Sequence, residues 1–242
     1  MMKELNLFQK ERYDCSTFLK EIGKDGQVKL LNSRVFIVGV GGLGNHILLT
    51  LAAMGVGHIT IADEDTVKLD NLPRQILYDE KDIGKNKVDV AENKIKDKNP
   101  DIKINKLCLM IDENNAKDAF SGYDLVIDAT DNFKSKFIIE DACKELGISF
   151  ICAGVSDFKG QVILVTKESK YSFKSLFDVL PINIEQKYID EDKGVFPPAV
   201  ALVANLAANQ AAKYLLDIGD LLLDTLIVVD TKKIEIKKYK FE

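Results

Sequence analysis

Long apolar runs are missing from this chain. No stretch approaches the roughly 20 residues needed to span a bilayer, so a membrane-spanning protein is not expected. Histidine is scarce: His46 and His58 are the whole complement. Two are too few for a histidine-based metal centre and make a Ser-His-Asp triad hard to build. Four cysteines, Cys15, Cys108, Cys143 and Cys152, are scattered without a C-x-x-C pair. That spacing suggests neither a zinc knuckle nor a disulfide framework, and leaves isolated reduced thiols. Basic residues form no concentrated block and the net charge is -5, so a nucleic-acid backbone is not the expected partner. The opening MMKELNLFQKERYD is charged and has no apolar core of the signal-peptide kind, which points to a cytoplasmic location.

What is present reads as an ordinary globular chain of 242 residues, 46% hydrophobic and 29% charged, long enough to bury a substantial core. Strand and helix patterns alternate. RVFIVGV, HITIADED, IKINKLCLM, YDLVIDAT and ISFICAGV read as strands. The continuous apolar character of the first is that of a strand covered on both faces. LGNHILLTLAAMGV, NKVDVAENKIKDKNP and NFKSKFIIEDACKELG read as the intervening helices, the second stopped by Pro100 and the third closed by Gly147. This order predicts an α/β fold with a doubly wound, mostly parallel, Rossmann-like sheet. After it, GQVILVT reads as an antiparallel extension, PPAVALVANLAANQAAKYLLD as a buried helix opened by prolines, and TLIVVD-TKK-IEIKKYKF as a closing hairpin. The long irregular segment between, KESKYSFKSLFDVLPINIEQKYIDEDKG, is expected to cover a site and to be the most mobile part of the free protein. With no repeat or linker, the expectation is one domain over 1–242: a helical arm (1–33), the core (34–156), and antiparallel strands, crossover segment and long helix (157–242).

Gly39, Gly41 and Gly44 satisfy G-x-G-x-x-G between the first strand and the first long helix, with Gly42 as a fourth glycine. Such a turn lets backbone approach phosphate closely, and the helix points its first N–H groups at the anion. Asp63, at the end of the second strand, stands where a carboxylate accepts from a ribose. Up to this point a nicotinamide dehydrogenase fits equally well. The next segment, DNLPRQILYDEKDIGKNK, separates the two readings. It offers Asn71, Arg74, Gln75, Lys85 and Lys87, donors that a dinucleotide does not need and that a triphosphate does. In VIDATDN, Asp128 and Asp131 end the fourth strand, at the sheet edge where open α/β folds bind ligands. A carboxylate facing a triphosphate calls for Mg²⁺ between them. Asp131 is the better candidate because Asp128 is nearer the buried strand. The alternative role for Asp131 is a helix N-cap.

Taken in order, GVGGLG, DED, DNLPRQ, IGKNK, DATDN and GQV resemble the ThiF/MoeB/HesA adenylyltransferases, relatives of the ubiquitin-activating enzymes. The likeness runs from ERYD to the closing hairpin. It implies ATP and Mg²⁺, and adenylation of the C-terminal glycine of a ubiquitin-like sulfur-carrier protein with release of pyrophosphate, usually by a homodimer. A peptide is the next acceptor. It implies that Gly39, Gly41, Gly42 and Gly44 face the nucleotide, that Asp63 holds the ribose, with Asp65 of DED beside it, and that Asn71, Arg74, Gln75 and Lys87 surround the phosphates. Asp131 would hold Mg²⁺. Arg74, Lys87 and Asp131 would then carry the catalysis.

Three departures from that family accompany the match. Members often carry two C-x-x-C pairs for a structural zinc; Ser172 and Ser175 stand at the first, and no counterpart of the second occurs before KKYKFE. Serine is a poor zinc ligand, so no zinc is expected. Many members carry a cysteine before the GV that opens the last long helix, and YIDEDKGVFPP has none, which excludes a thioester or persulfide there. An N-terminal RY-x-R often lends its second arginine across the dimer; here RYDC puts Cys15 at that place. A family-derived nucleotide-binding scaffold without the transfer step is the alternative that Cys15 and the missing zinc support, with an NAD-dependent oxidoreductase a weaker third.

Overall fold

The computed structural model describes residues 4–176 and 194–241. Its centre is an eight-stranded sheet of order β3-β2-β1-β4-β5-β6-β7-β8. The strands are β1 (Arg34–Val38), β2 (His58–Ala62), β3 (Lys103–Leu107), β4 (Leu125–Asp128), β5 (Ser149–Ser156), β6 (Lys159–Val165), β7 (Thr225–Asp230) and β8 (Glu235–Lys240). The first five pair in parallel. The last three extend the sheet antiparallel, as the sequence predicts.

Helices α1 (Leu7–Arg12), α2 (Asp14–Thr17) and α3 (Gly23–Asn32) form the N-terminal arm. Then come α4 (Gly42–Met54), α5 (Lys87–Lys98), α6 (Ala116–Phe120), α7 (Phe133–Leu146) and α8 (Pro197–Leu216). Helix α6 was not expected from the sequence; its five residues are too few to show a helical period.

The central strands β1, β2, β4 and β5 are buried on both faces because they are apolar at consecutive positions, whereas the edge strand β8 is exposed throughout. In β1, Val35 and Ile37 enter one core with α4, α5 and α8. Phe36 and Val38 enter the other with α6 and α7. Phe36 meets Phe120 and Tyr123 edge-on, with ring centroids 5.0 and 5.2 Å apart, each pair worth about 1 kcal/mol beyond area burial. Helix α8 buries eleven of its residues, mostly alanine and valine, so its close packing on α4 follows from small side chains.

Strand β1 lies between β2 and β4, and the chain leaves it toward β2 before returning to β4. The direction of winding reverses there. The carboxyl ends of β1 and β4 are therefore the topological switch point of the sheet, the crevice where doubly wound sheets bind ligands.

Candidate active site

The turn after β1 begins at Gly39, whose φ of +89° is open to glycine and strained for other residues. A Cβ there would also meet the Ala129 carbonyl oxygen at 3.0 Å, so the loop after β4 presses against this turn. A Cβ on Gly44 would sit 2.0 Å from the Gly39 carbonyl oxygen; this glycine lets α4 approach the turn. Gly42 lies against Val200 and the stem of Arg74, 3.0 and 3.6 Å from where its Cβ would be. At Gly41 the nearest atom is Gln75 Nε2, at 3.8 Å. The backbone is most open there, and α4 begins one residue later with no side-chain cap. Its first N–H groups are of the kind that receive an anion.

Asp63 is built into this turn. Its Oδ2 accepts from the Val40 N–H at 2.7 Å and its Oδ1 from the Asp65 N–H at 2.9 Å. Each oxygen keeps a second lone pair for a hydroxyl donor. Asp65 in turn pairs with Lys87, Nζ to Oδ2 at 2.7 Å; the lysine side chain is 7% exposed and the aspartate 57%. Lys87 opens α5, which is why a residue 22 positions away returns to the end of β2.

A short 3₁₀ turn over Leu69–Asn71 brings the donor segment back. The Asn71 carbonyl accepts from the N–H groups of Arg74 and Gln75 at 3.1 and 3.0 Å, which carries both toward the glycine turn. Asn71 is itself buried, its Oδ1 accepting from the Lys68 N–H at 3.3 Å. Arg74 is anchored by one donor, Nη1 to the Asp70 carbonyl at 2.8 Å. Gln75 is buried, and among the described residues its Oε1 has no hydrogen-bond partner, an unsatisfied group that calls for an explanation. Lys85, by contrast, is engaged by Asp82 at 3.2 Å.

At the end of β4 the two aspartates take different roles. Asp128 is fully buried. Its Oδ1 accepts from the Thr130 N–H and hydroxyl at 2.9 and 2.6 Å, and its Oδ2 pairs with Lys136 at 2.9 Å and accepts from Cys152 Sγ at 3.1 Å. Burial by itself would lower the Lys136 pKa; the Asp128 charge more than reverses this and keeps the ammonium charged. Removing one partner of such a pair costs about 3–5 kcal/mol. Asp131 is exposed, with Asn132 Nδ2 3.4 Å from its Oδ1. It does not cap α7. The cap is Asn132, whose Oδ1 accepts from the Ser135 N–H at 2.9 Å. The helix-cap alternative for Asp131 is thus corrected: the amide one residue on is better placed to reach the first turn.

Among the described residues no group of three or more His, Cys, Asp or Glu side chains could hold a metal. One exposed carboxylate, Asp131, has the chemistry of a lone protein ligand to a magnesium ion that takes its other ligands from phosphates and water.

Two of the family departures have a described structure. Cys15 is exposed, and Arg12 is tied within its own chain, Nε to Asp101 at 3.0 Å. A cavity of about 430 Å³ lies beside them, lined by Cys15, Leu49 and Met54 among others; it belongs to the arm and α4, away from the crevice. Ser172 and Ser175 close a turn on each other, the Ser172 N–H donating to Ser175 Oγ at 2.7 Å and the Ser175 N–H to Ser172 Oγ at 3.1 Å. The Glu140 carboxylate holds that turn through the N–H groups of Phe173 and Lys174 at 2.5 and 3.0 Å. Most of the crossover segment expected to cover the site, 177–193, lies outside the described residues.

Fold and crevice together define a nucleotide-binding protein of the doubly wound class. The pattern of the ThiF family matches residues 13–242, and the chain belongs to that family. It is 32% identical to the SAMP-activating enzyme E1 of Haloferax volcanii, over 95% of this chain and 84% of that protein. It is 37% identical to the sulfur carrier protein ThiS adenylyltransferase of Escherichia coli, over 84% of this chain and 80% of that protein. Against several other curated adenylyltransferases it spans between 57% and 66% of their length. The crystal structure of E. coli MccB with ATP superimposes with a TM-score of 0.81 at 26% identity, over 95% of this chain and 71% of that one.

Proposed function

We propose that this protein is an ATP-dependent adenylyltransferase that activates the C-terminal carboxylate of a ubiquitin-like sulfur-carrier protein ending in Gly-Gly, or of a peptide, as a homodimer and with Mg²⁺. The reaction joins that carboxylate to the α-phosphorus of ATP, giving an acyl-adenylate and pyrophosphate. The observation that carries the reading is the pair of cationic side chains brought to the end of β2 and the start of α4: Arg74 packs beside Gly42, and Lys87 is held by Asp65, whose N–H is bound by Asp63. A dinucleotide site does not call for this pair of cations. Names of relatives support the same activity, since they are adenylyltransferases of sulfur carriers and a SAMP-activating enzyme.

In this reading the chain supplies positioning and charge more than covalent help. Asp63 orients the ribose, and Gly41 with the start of α4 receives phosphate oxygens. Arg74 and Lys87 offset charge moving onto the leaving pyrophosphate, and Gln75 lies against Gly41 in the turn that receives it. Asp131 would hold Mg²⁺, which would neutralise phosphate oxygens that a bare carboxylate repels. An acceptor-dependent ATP–pyrophosphate exchange assay with small Gly-Gly-ended carriers tests the proposal.

A further inference from the structure

We propose that Lys136 is a positioning residue for the Asp131 carboxylate, and through it for a divalent cation delivered with the nucleotide's phosphates. The inference rests on the role given to Asp131 above, and it concerns a residue outside the donor cluster. An ammonium has three N–H donors. Those of Lys136 go to Asp128 Oδ2 at 2.9 Å, the Thr130 carbonyl at 2.8 Å and the Ala153 carbonyl at 2.8 Å. One buried point therefore joins the end of β4, the loop after it and the neighbouring strand β5. Thr130 is gripped again through its N–H and hydroxyl by Asp128 Oδ1. The same loop abuts the glycine turn, with the Ala129 carbonyl against Gly39.

Asp131 is the next residue. The residue before it is bound through its N–H, hydroxyl and carbonyl, while the Asp131 carboxylate stays exposed. A buried ion pair is a weak stabiliser compared with well-packed apolar side chains. Fixing one loop conformation is the role assigned to the pair here. Partners that orient a metal ligand change metal affinity by about 10–100-fold when removed.

The test is calorimetric ATP affinity as a function of Mg²⁺ concentration, together with thermal unfolding. Lys136→Met alone would leave Asp128 buried and unpaired, so the double variant Asp128→Asn/Lys136→Met is used. It should raise the half-saturating Mg²⁺ by about 10-fold or more, leave ATP affinity without magnesium unchanged, and add nothing further to Asp131→Asn. Lys136→Arg, which keeps the charge, should restore much of the wild-type Mg²⁺ dependence. If the double variant does not fold, Lys136→Gln decides the matter: it keeps amide donors near Asp128 but loses the charge and the reach that ties Thr130 to Ala153, and it should shift the dependence in the same direction. Wild-type Mg²⁺ dependence in the double variant or in Lys136→Gln, with a shift in Asp131→Asn, overturns the role of Lys136 alone. No shift in Asp131→Asn overturns the reading of Asp131, and this inference with it.

Discussion

Lys87 and Asp65 meet at 2.7 Å, the lysine nearly buried and the aspartate open to solvent. The pair holds an ammonium ready at the end of β2, one residue beyond Glu64 from the Asp63 carboxylate that braces the glycine turn. Lys87→Ala is expected to reduce acceptor-dependent pyrophosphate release by about 10²–10³-fold, the scale of losing one electrostatic stabiliser. Arginine is not equivalent to this point charge, so Lys87→Arg should rescue little. Steady-state kinetics on both variants checks this, and near wild-type release in Lys87→Ala would remove the residue from the site.

Asp131 and Asn132 should separate cleanly. Asp131→Asn is expected to weaken metal-dependent turnover by about 10²-fold or more and leave the melting temperature unchanged. Asn132→Ala removes the cap accepting from Ser135 and should cost about 1 kcal/mol of stability with little change in Mg²⁺ dependence. The reverse pattern would return Asp131 to a structural role.

Two glycines of the same turn make opposite predictions. Gly44→Ala places a Cβ 2.0 Å from the Gly39 carbonyl oxygen and should destabilise the fold by about 3 kcal/mol. Gly41→Ala meets no such contact and should change stability by less than about 1 kcal/mol while weakening ATP binding. Chemical denaturation and calorimetry distinguish them.

Much of this was legible in the sequence. The apolar run Val35–Val38 fixes β1 as a strand buried on both faces, and Gly39 and Gly44 mark the turn that follows it. Asp63 and Lys87 could be placed together because the motif order assigns both to one crevice. Asp128 was readable as buried from its apolar strand. Other features depend on contacts that no local pattern carries. Lys136 reads as one more charged residue of an amphipathic helix, and its partners lie 6, 8 and 17 residues away. The cap fell to Asn132 over Asp131 by a one-residue difference in loop path, and both residue types cap well. The Gln75 orphan is visible only once its neighbours are in place.

Acid should cost the loop that leads into α5 part of its stability. Burial would raise the Asp82 pKa, but Lys94, the Asp79 N–H and Lys85 outweigh it and bring it down to about 2. A carboxyl depressed in the folded state stabilises at pH values above its unfolded pKa, and that stability is lost as pH falls through the folded value. Unfolding free energy should therefore drop by about 1–2 kcal/mol between roughly pH 4 and pH 2 on account of this group, once solvent screening is allowed for. Asp82→Asn should flatten that window, and denaturation across the range measures it.

Thiol labelling of the native protein should divide the four cysteines in two. Cys15 and Cys108 are exposed, Cys143 and Cys152 buried. Burial pushes both buried thiols well up, which suppresses the reactive thiolate. Mass spectrometry after brief alkylation should find Cys15 and Cys108 modified and the other two protected until the protein unfolds.

The central claim is that the crevice between β1 and β4 activates a carboxylate with ATP. ATP–pyrophosphate exchange, with and without a Gly-Gly-ended sulfur carrier and with NAD binding followed in parallel by calorimetry, tests it most directly. The account predicts exchange that requires the acceptor and Mg²⁺, and no measurable affinity for NAD. Micromolar NAD binding with none for ATP would contradict it.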